Sequence, residues 1–126
     1  EQLQIKRKIT LKQNELKEKL FFEVKQLLED YMTTSAYQQL LIKQIKNIQK
    51  EAGSGKLILY IDPADSDKRS SLQVATGAPV TVSEYSFMGG TRAVLQDRNI
   101  LIDNSFASKL EKLKADFSFN GGATNA

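Results

Sequence analysis

The sequence predicts an α+β protein in which a long N-terminal helix leads into a small domain of four short strands with helices on them. Three observations carry this. Residues 1–33 contain no Gly or Pro and are rich in Lys, Glu, Gln and Leu, all strong helix formers. From Lys56 onward, short apolar runs are separated by Gly, Asp, Pro and Asn, the punctuation of strands and turns. Residues 35–48 and 106–117 return to apolar spacings of three and four, the mark of further helices.

The first helix carries one apolar stripe, Ile5, Ile9, Leu16, Leu20, Val24, Leu27, Leu28 and Tyr31, in a field of Lys, Arg and acidic residues. At 1.5 Å per residue, 33 residues reach roughly 50 Å, while a compact domain of this size is about 30–35 Å across. The first half must therefore protrude. There the stripe is thin, with Ile5 and Ile9 set among Lys6, Arg7, Lys8, Lys12 and Gln13, and a helix this polar gains little by standing alone. From Leu16 onward it thickens and Phe21 and Phe22 join it, as expected where a helix packs on its own core. The N-terminal half is thus expected to seek a partner helix, with Ile5, Ile9, Leu16 and Leu20 as the candidate seam.

Thr33, Thr34 and Ser35 interrupt the pattern, and Ser35 suits the N-cap of a second helix. Its face is Tyr37, Leu40, Leu41, Ile45 and Ile48, with Lys43, Lys46 and Lys50 in a row opposite, the pattern of a solvated side. Gly53 stops it. Gly53-Ser54-Gly55-Lys56 is not a phosphate loop: Lys50 stands where the first Gly belongs, Leu57 where the Mg²⁺-binding hydroxyl belongs, and the loop leaves a helix to enter a strand.

Residues 56–61 form a continuous apolar run suited to a central strand covered on both faces. Asp62-Pro63 ends it, and Asp65-Ser66-Asp67 offers the cap of a short helix running to about Ala75 and stopped by Gly77. Asp62, Asp65 and Asp67 lack the Gly and the distal Glu of a calcium loop, so capping accounts for them. Strands follow at 80–84, 91–95 and 99–102. Gly89-Gly90 lies before the second of these, as a step needing positive φ or close backbone approach. Asp103-Asn104-Ser105 opens a last helix spaced Phe106, Leu110, Leu113 and Phe117, with Asp103 as its cap.

Composition narrows the function. The chain has 126 residues, no Cys and no His, which removes disulfides, thiolate sites, the commonest metal ligand and the commonest general base. No run approaches the ~20 apolar residues that span a bilayer. A net charge of +3 without a basic cluster argues against nucleic acid. No catalytic residue, metal site or cofactor is expected. The chain opens at Glu1 already in helical pattern, as a fragment would.

The stretch Gly89-Gly90, strand, Asp97-Arg98-Asn99 turn, strand, Asp103-Asn104-Ser105-Phe106, then Lys109-Leu110-Glu111-Lys112-Leu113 resembles the C-terminal region of the E subunit of V-type and archaeal-type rotary ATPases. The resemblance is specific over 89–113 and looser over the rest. Residues 62–77 are shorter and less charged than the family's usual helix, and the Gly/Asn/Ala tail replaces a longer closing one. The resemblance implies a small, mixed four-stranded sheet with helices on it, entered by a long stalk helix. It implies a non-catalytic peripheral-stalk subunit, cytoplasmic and peripheral to the membrane, in a proton- or sodium-translocating complex. Residues 1–33 would pair with a second stalk subunit, and residues 35–119 would grip the ATPase B subunit, with Phe87 and Met88 as candidate surface contacts that the sequence leaves equally open to being core. Residues 120–126 would be a flexible tail. A fragment with an exposed seam is expected to self-associate. The competing class is a stalk protein of a flagellar or type III secretion export ATPase, which also joins a long helix to a small globular end. A nucleic-acid-binding α+β module is a third, weaker on the scattered charge.

Overall fold

The computed structural model describes residues 2–117. The elements follow in the order α1 (Gln2–Tyr31), α2 (Ser35–Ala52), β1 (Leu57–Ile61), a 3-10 turn (Pro63–Lys68), α3 (Arg69–Thr76), β2 (Val80–Val82), β3 (Thr91–Leu95), β4 (Ile100–Asp103) and α4 (Phe106–Asp116). The predicted α+β architecture, long N-terminal helix and four-stranded mixed sheet are what the structure has. The expected tail at 120–126 and the last residues of the expected globular span lie outside the described residues.

The sheet order is β2-β1-β3-β4, with β1 and β2 parallel and the other pairs antiparallel. The parallel pair is joined by the 3-10 turn and α3, the crossover a parallel connection needs. Leu59, Ile61, Val80, Thr91, Ala93 and Leu95 point to one face and are buried beneath α2 and α3. Tyr37, Leu41, Ile45 and Ile48 of α2 supply the other half of the core. The opposite sheet face is left partly open: Ile58, Tyr60, Arg92 and Val94 are half-buried and Leu101 is exposed. The run at 56–61 is therefore central in pairing but covered on one face, because all the helices gather on the other.

Several boundaries move for local reasons. Thr34, not Ser35, caps α2, its Oγ1 accepting from the Tyr37 N–H at 3.3 Å. Asp62 caps the 3-10 turn by accepting from Ala64 N–H at 3.0 Å, while Asp65 is drawn into the interior. The last helix is capped by Ser105, which accepts from Ser108 N–H at 3.2 Å. Asp103 braces that cap from behind, accepting from Ser105 N–H at 2.9 Å and from the Ser108 hydroxyl at 2.5 Å.

Antiparallel to α1, α4 returns along it. Tyr31 lies beside Phe106 at the start of α4 and Phe21 beside Phe117 at its end, with ring centroids 6.4 and 5.4 Å apart. Lys114 reaches Glu18 at 3.6 Å.

Candidate functional site

The side of α1 that meets the domain reads Lys17, Phe21, Val24, Leu28 and Tyr31, alternating steps of four and three. Phe21 is its one buried residue and Leu28 and Tyr31 pack against the core. The candidate seam lies elsewhere on the helix. Ile5, Ile9, Leu16 and Leu20 are 58, 52, 51 and 40% exposed, and Leu27, assigned from its spacing to the packed stripe, is 67% exposed. At roughly 100° per residue these five fall within a sector of about 60°, centred about 90° around the helix from the domain-facing side. Two apolar faces, not one stripe, therefore run down α1. The outer one continues for about 33 Å, from Ile5 to Leu27. Phe22 belongs to neither: it is exposed on a third side and lines a groove with Met88, Leu110 and Lys114. Every residue from Gln2 to Lys12 is exposed, as a projecting helix requires.

Gly89, Gly90, Asp103, Asn104, Ser105 and Phe106 are brought together into one structural unit. Asn104 N–H donates to the Thr91 carbonyl, Phe106 N–H to the Gly89 carbonyl and Ala107 N–H to the Phe87 carbonyl, at 2.9, 2.9 and 3.1 Å. Two of the N–H groups left open at the start of α4 are thus satisfied by the Gly-Gly loop. Both glycines have positive φ, 109° and 80°. A Cβ on Gly90 would stand 2.4 Å from the Asn104 carbonyl oxygen, so this loop approaches the α4 start as only glycine can.

Tyr37 ties this loop to the rest of the domain. Its hydroxyl accepts from Gly90 N–H at 3.0 Å and donates to Asp65 Oδ2 at 2.5 Å. Lys68 Nζ holds Asp65 Oδ1 at 3.1 Å. Burial pushes the Tyr37 phenol up, and the Asp65 hydrogen bond adds to it. Burial also raises the Asp65 carboxyl, against the opposing pull of Tyr37 and Lys68. For Asp103, burial is outweighed by the hydrogen bonds from Ser105 and Ser108 and by the Arg92 charge, leaving the carboxyl at about 2. These groups fasten elements together: Asp65 and Tyr37 have buried side chains, fully engaged with one another.

Phe87 is not a surface contact. It is 1% exposed, with the Arg92 guanidinium carbon over its ring, 4.8 Å from the centroid. Strand alternation cannot place it, because it sits in an irregular loop, and the loop is held by Asp62, whose Oδ1 accepts from Phe87 N–H at 2.7 Å. Met88 is half-buried against the core with φ 69°. The Gly53–Lys56 loop is a helix-to-strand connection braced by Asp97, whose carboxylate accepts from Lys56 N–H at 3.0 Å. No helix among the described residues is long and apolar enough to cross a membrane.

No protein-family model matches this chain, and no curated protein matches it.

Proposed function

We propose that this chain is the C-terminal region of the E subunit of a V-type or archaeal-type rotary ATPase, a non-catalytic stator component. In such a machine a shaft turns inside the catalytic head, and the head would spin with it unless a rigid strut tied it to the static part of the membrane motor. On this reading α1 pairs with a helix of the second stalk subunit through Ile5, Ile9, Leu16, Leu20 and Leu27. The domain from Ser35 onward holds the B subunit at the top of the head, and the whole lies on the cytoplasmic side, peripheral to the membrane, during ATP-coupled proton or sodium transport.

The observation that carries the reading is the second apolar face of α1. Five large aliphatic side chains lie exposed in one row along a helix whose other apolar face already packs on its own domain. A row of this length and straightness suits a helix laid alongside in coiled-coil fashion. The unit built from Gly89, Gly90 and residues 103–106 supports the family assignment, since the residues that carry the resemblance share one function in the fold.

The test is co-purification of the chain with the second stalk subunit and with the B subunit, singly and together, beside an Ile5→Lys/Ile9→Lys variant. A complex with the stalk partner that the variant abolishes supports the proposal. A folded chain that binds neither partner refutes it and moves the export-apparatus stalk protein to first place.

A further inference from the structure

The outer row of α1 is complementary to itself. From Ile9 onward its members stand at Ile9, Leu16, Leu20 and Leu27, in steps of seven, four and seven, so the spacing reads the same in both directions. Laid antiparallel against a second copy about a two-fold axis level with Glu18, Ile9 meets Leu27 and Leu16 meets Leu20, and the symmetry repeats both pairs. Four apolar layers result, built from side chains that are between 40 and 67% exposed in the single chain. The same axis suits the domains. The side of α1 that meets the domain begins at Lys17 and lies about 90° around the helix from the row. The two domains would therefore sit towards opposite ends of the helix pair, and neither occupies the seam.

Charge selects the orientation. Along the flank of the row away from the domain stand Lys8, Lys12, Lys19, Glu23 and Asp30, all exposed, basic first and acidic last. A two-fold axis perpendicular to the helices brings this flank against its own counterpart. Lys12 then lies about 1.5 Å along the helix from the level of Glu23 in the second copy, and Lys8 about 3 Å from the level of Asp30. Among the described residues Lys8, Glu23 and Asp30 form no ion pair, and Lys12 has an exposed one with Glu15 at 3.8 Å. Lys19 meets its own counterpart beside the axis, a repulsion that Glu15, one turn back on the same helix, offsets. A parallel, in-register pair would instead set Lys8 beside Lys6 and Lys19 beside Lys17 of the other copy. A lipid surface fits less well, because Glu23 and Asp30 border the row and a sector of about 60° has the width of a helix seam and not of a membrane face. We infer that the chain pairs with a second copy of itself through the outer row of α1, antiparallel and two-fold symmetric. Four layers bury less than the ~1,200–2,000 Å² of a stable complex, so the pair forms and dissociates with concentration. The inference rests on spacing, exposure and charge and not on the stalk proposal; it uses the same face, and a stalk helix would have to displace the second copy.

The experiment is sedimentation equilibrium of the full chain over a wide concentration range, with cross-linking to read orientation. The expected result is a monomer–dimer equilibrium that Leu16→Lys/Leu20→Lys abolishes without altering the far-UV spectrum. The chain has no Cys, so Ile9→Cys and Leu27→Cys chains each carry a single thiol. Under mild oxidation they are expected to cross-link when mixed and not when either is alone. Glu23→Lys is expected to weaken the dimer about fivefold, since the symmetry turns two attractions into repulsions, and Lys12→Glu/Glu23→Lys is expected to restore it, which a merely structural effect of either change would not do. A chain that stays monomeric at every concentration, cross-linking of either Cys chain with itself, or a dimer indifferent to the Glu23→Lys change overturns the inference. A monomer that instead binds phosphatidylglycerol vesicles, and loses that binding with Leu16→Lys/Leu20→Lys, assigns the row to lipid and overturns it too. No other polypeptide is present in these measurements, so their failure leaves the stalk proposal to its own co-purification test.

Discussion

Replacing Gly90 by alanine should be among the most damaging single-methyl changes available to this chain, and its cost can be separated into parts. Gly90 has φ 80°, where a residue with a Cβ loses about 1–2 kcal/mol. Gly77 supplies the control: its φ of 72° and ψ of 11° place it in the left-handed region, and a Cβ there would meet nothing within 4 Å. Gly77→Ala therefore isolates the backbone contribution and should cost about 1–2 kcal/mol. At Gly90 the added Cβ would lie 2.4 Å from the Asn104 carbonyl oxygen and 3.1 Å from Ser105 Cα, both backbone. That backbone is pinned by Asn104 N–H on Thr91 and Phe106 N–H on Gly89, each at 2.9 Å, so relief requires moving the loop or the start of α4. Overpacking of this kind adds about 1–3 kcal/mol. Disturbing the Gly90 N–H bond to Tyr37 adds about 1 more. The sum is about 3–6 kcal/mol for Gly90→Ala, against about 1–2 for Gly77→Ala. For a chain of this size each kcal/mol moves the melting temperature by roughly 3–5 °C. Thermal and urea denaturation followed by far-UV circular dichroism reads both variants. If they fall within about 1 kcal/mol of each other, the junction yields freely and the close approach of the two backbones does not set the cost.

Four further outcomes follow from the same geometry. Tyr37→Phe leaves the Gly90 N–H without its acceptor and Asp65 buried with Lys68 alone, so it should cost about 1–3 kcal/mol in urea melts; a change below about 0.5 would mean water replaces the hydroxyl. Asp103 has its folded value lowered to about 2 from the ordinary 3.8, so its contribution is present above the ordinary value and lost as pH falls toward 2. The stability difference between the natural chain and Asp103→Asn should thus be largest above about pH 4 and shrink below it. Asp65 is shifted the other way, so its ionisation contribution is present at low pH and lost as pH rises through its raised value, which Asp65→Asn should flatten. Ile5→Lys/Ile9→Lys should leave the stability of the isolated chain within about 0.5 kcal/mol, since both side chains already face water; a marked loss would show that they pack within the domain.

The long helix, the strand count and the core face of α2 were legible because each depends on periodicity over many residues. Tyr37, Leu41, Ile45 and Ile48 could be picked from spacing alone and form the core. The two apolar faces of α1 merged into one stripe because offsets of three and four are shared by both. Leu27 and Leu28 are adjacent in sequence, yet one is exposed and the other packed, and the difference becomes visible once Phe21 and Tyr31 fix which side meets the domain. Phe87 stayed open between surface and core for a different reason. It lies between Ser86 and Met88 in a loop without period, and its burial depends on Asp62 and Arg92, partners with no sequence pattern linking them to it. The Tyr37–Asp65 bond joins residues 28 apart through the tertiary fold, and a carboxylate two residues past a proline, followed by Ser66 and Asp67, reads as a cap until the structure shows it facing inward.

On the proposed stator reading, the two faces of α1 answer a mechanical requirement. A helix that bears load must be joined to its end domain without a hinge, and the three-residue turn between α1 and α2 would be a hinge if it were held by its backbone alone. Instead the Thr33 and Thr34 hydroxyls donate to the Asp30 and Tyr31 carbonyls at 2.7 and 2.6 Å, closing off the helix end. The Tyr31 ring then lies against Tyr37 and Phe106, at 5.6 and 6.4 Å. Tyr37 in turn holds the Gly-Gly loop and the Asp65 turn, so a sideways force on α1 is passed to α2, α4 and the sheet edge through packed rings and buried hydrogen bonds. Because the exposed row sits about 90° around the helix from these contacts, a partner helix can lie along α1 as far as Leu27 without displacing any of them. A single apolar stripe would force the partner and the domain to compete for the same side chains, and the strut would have to end where the domain begins.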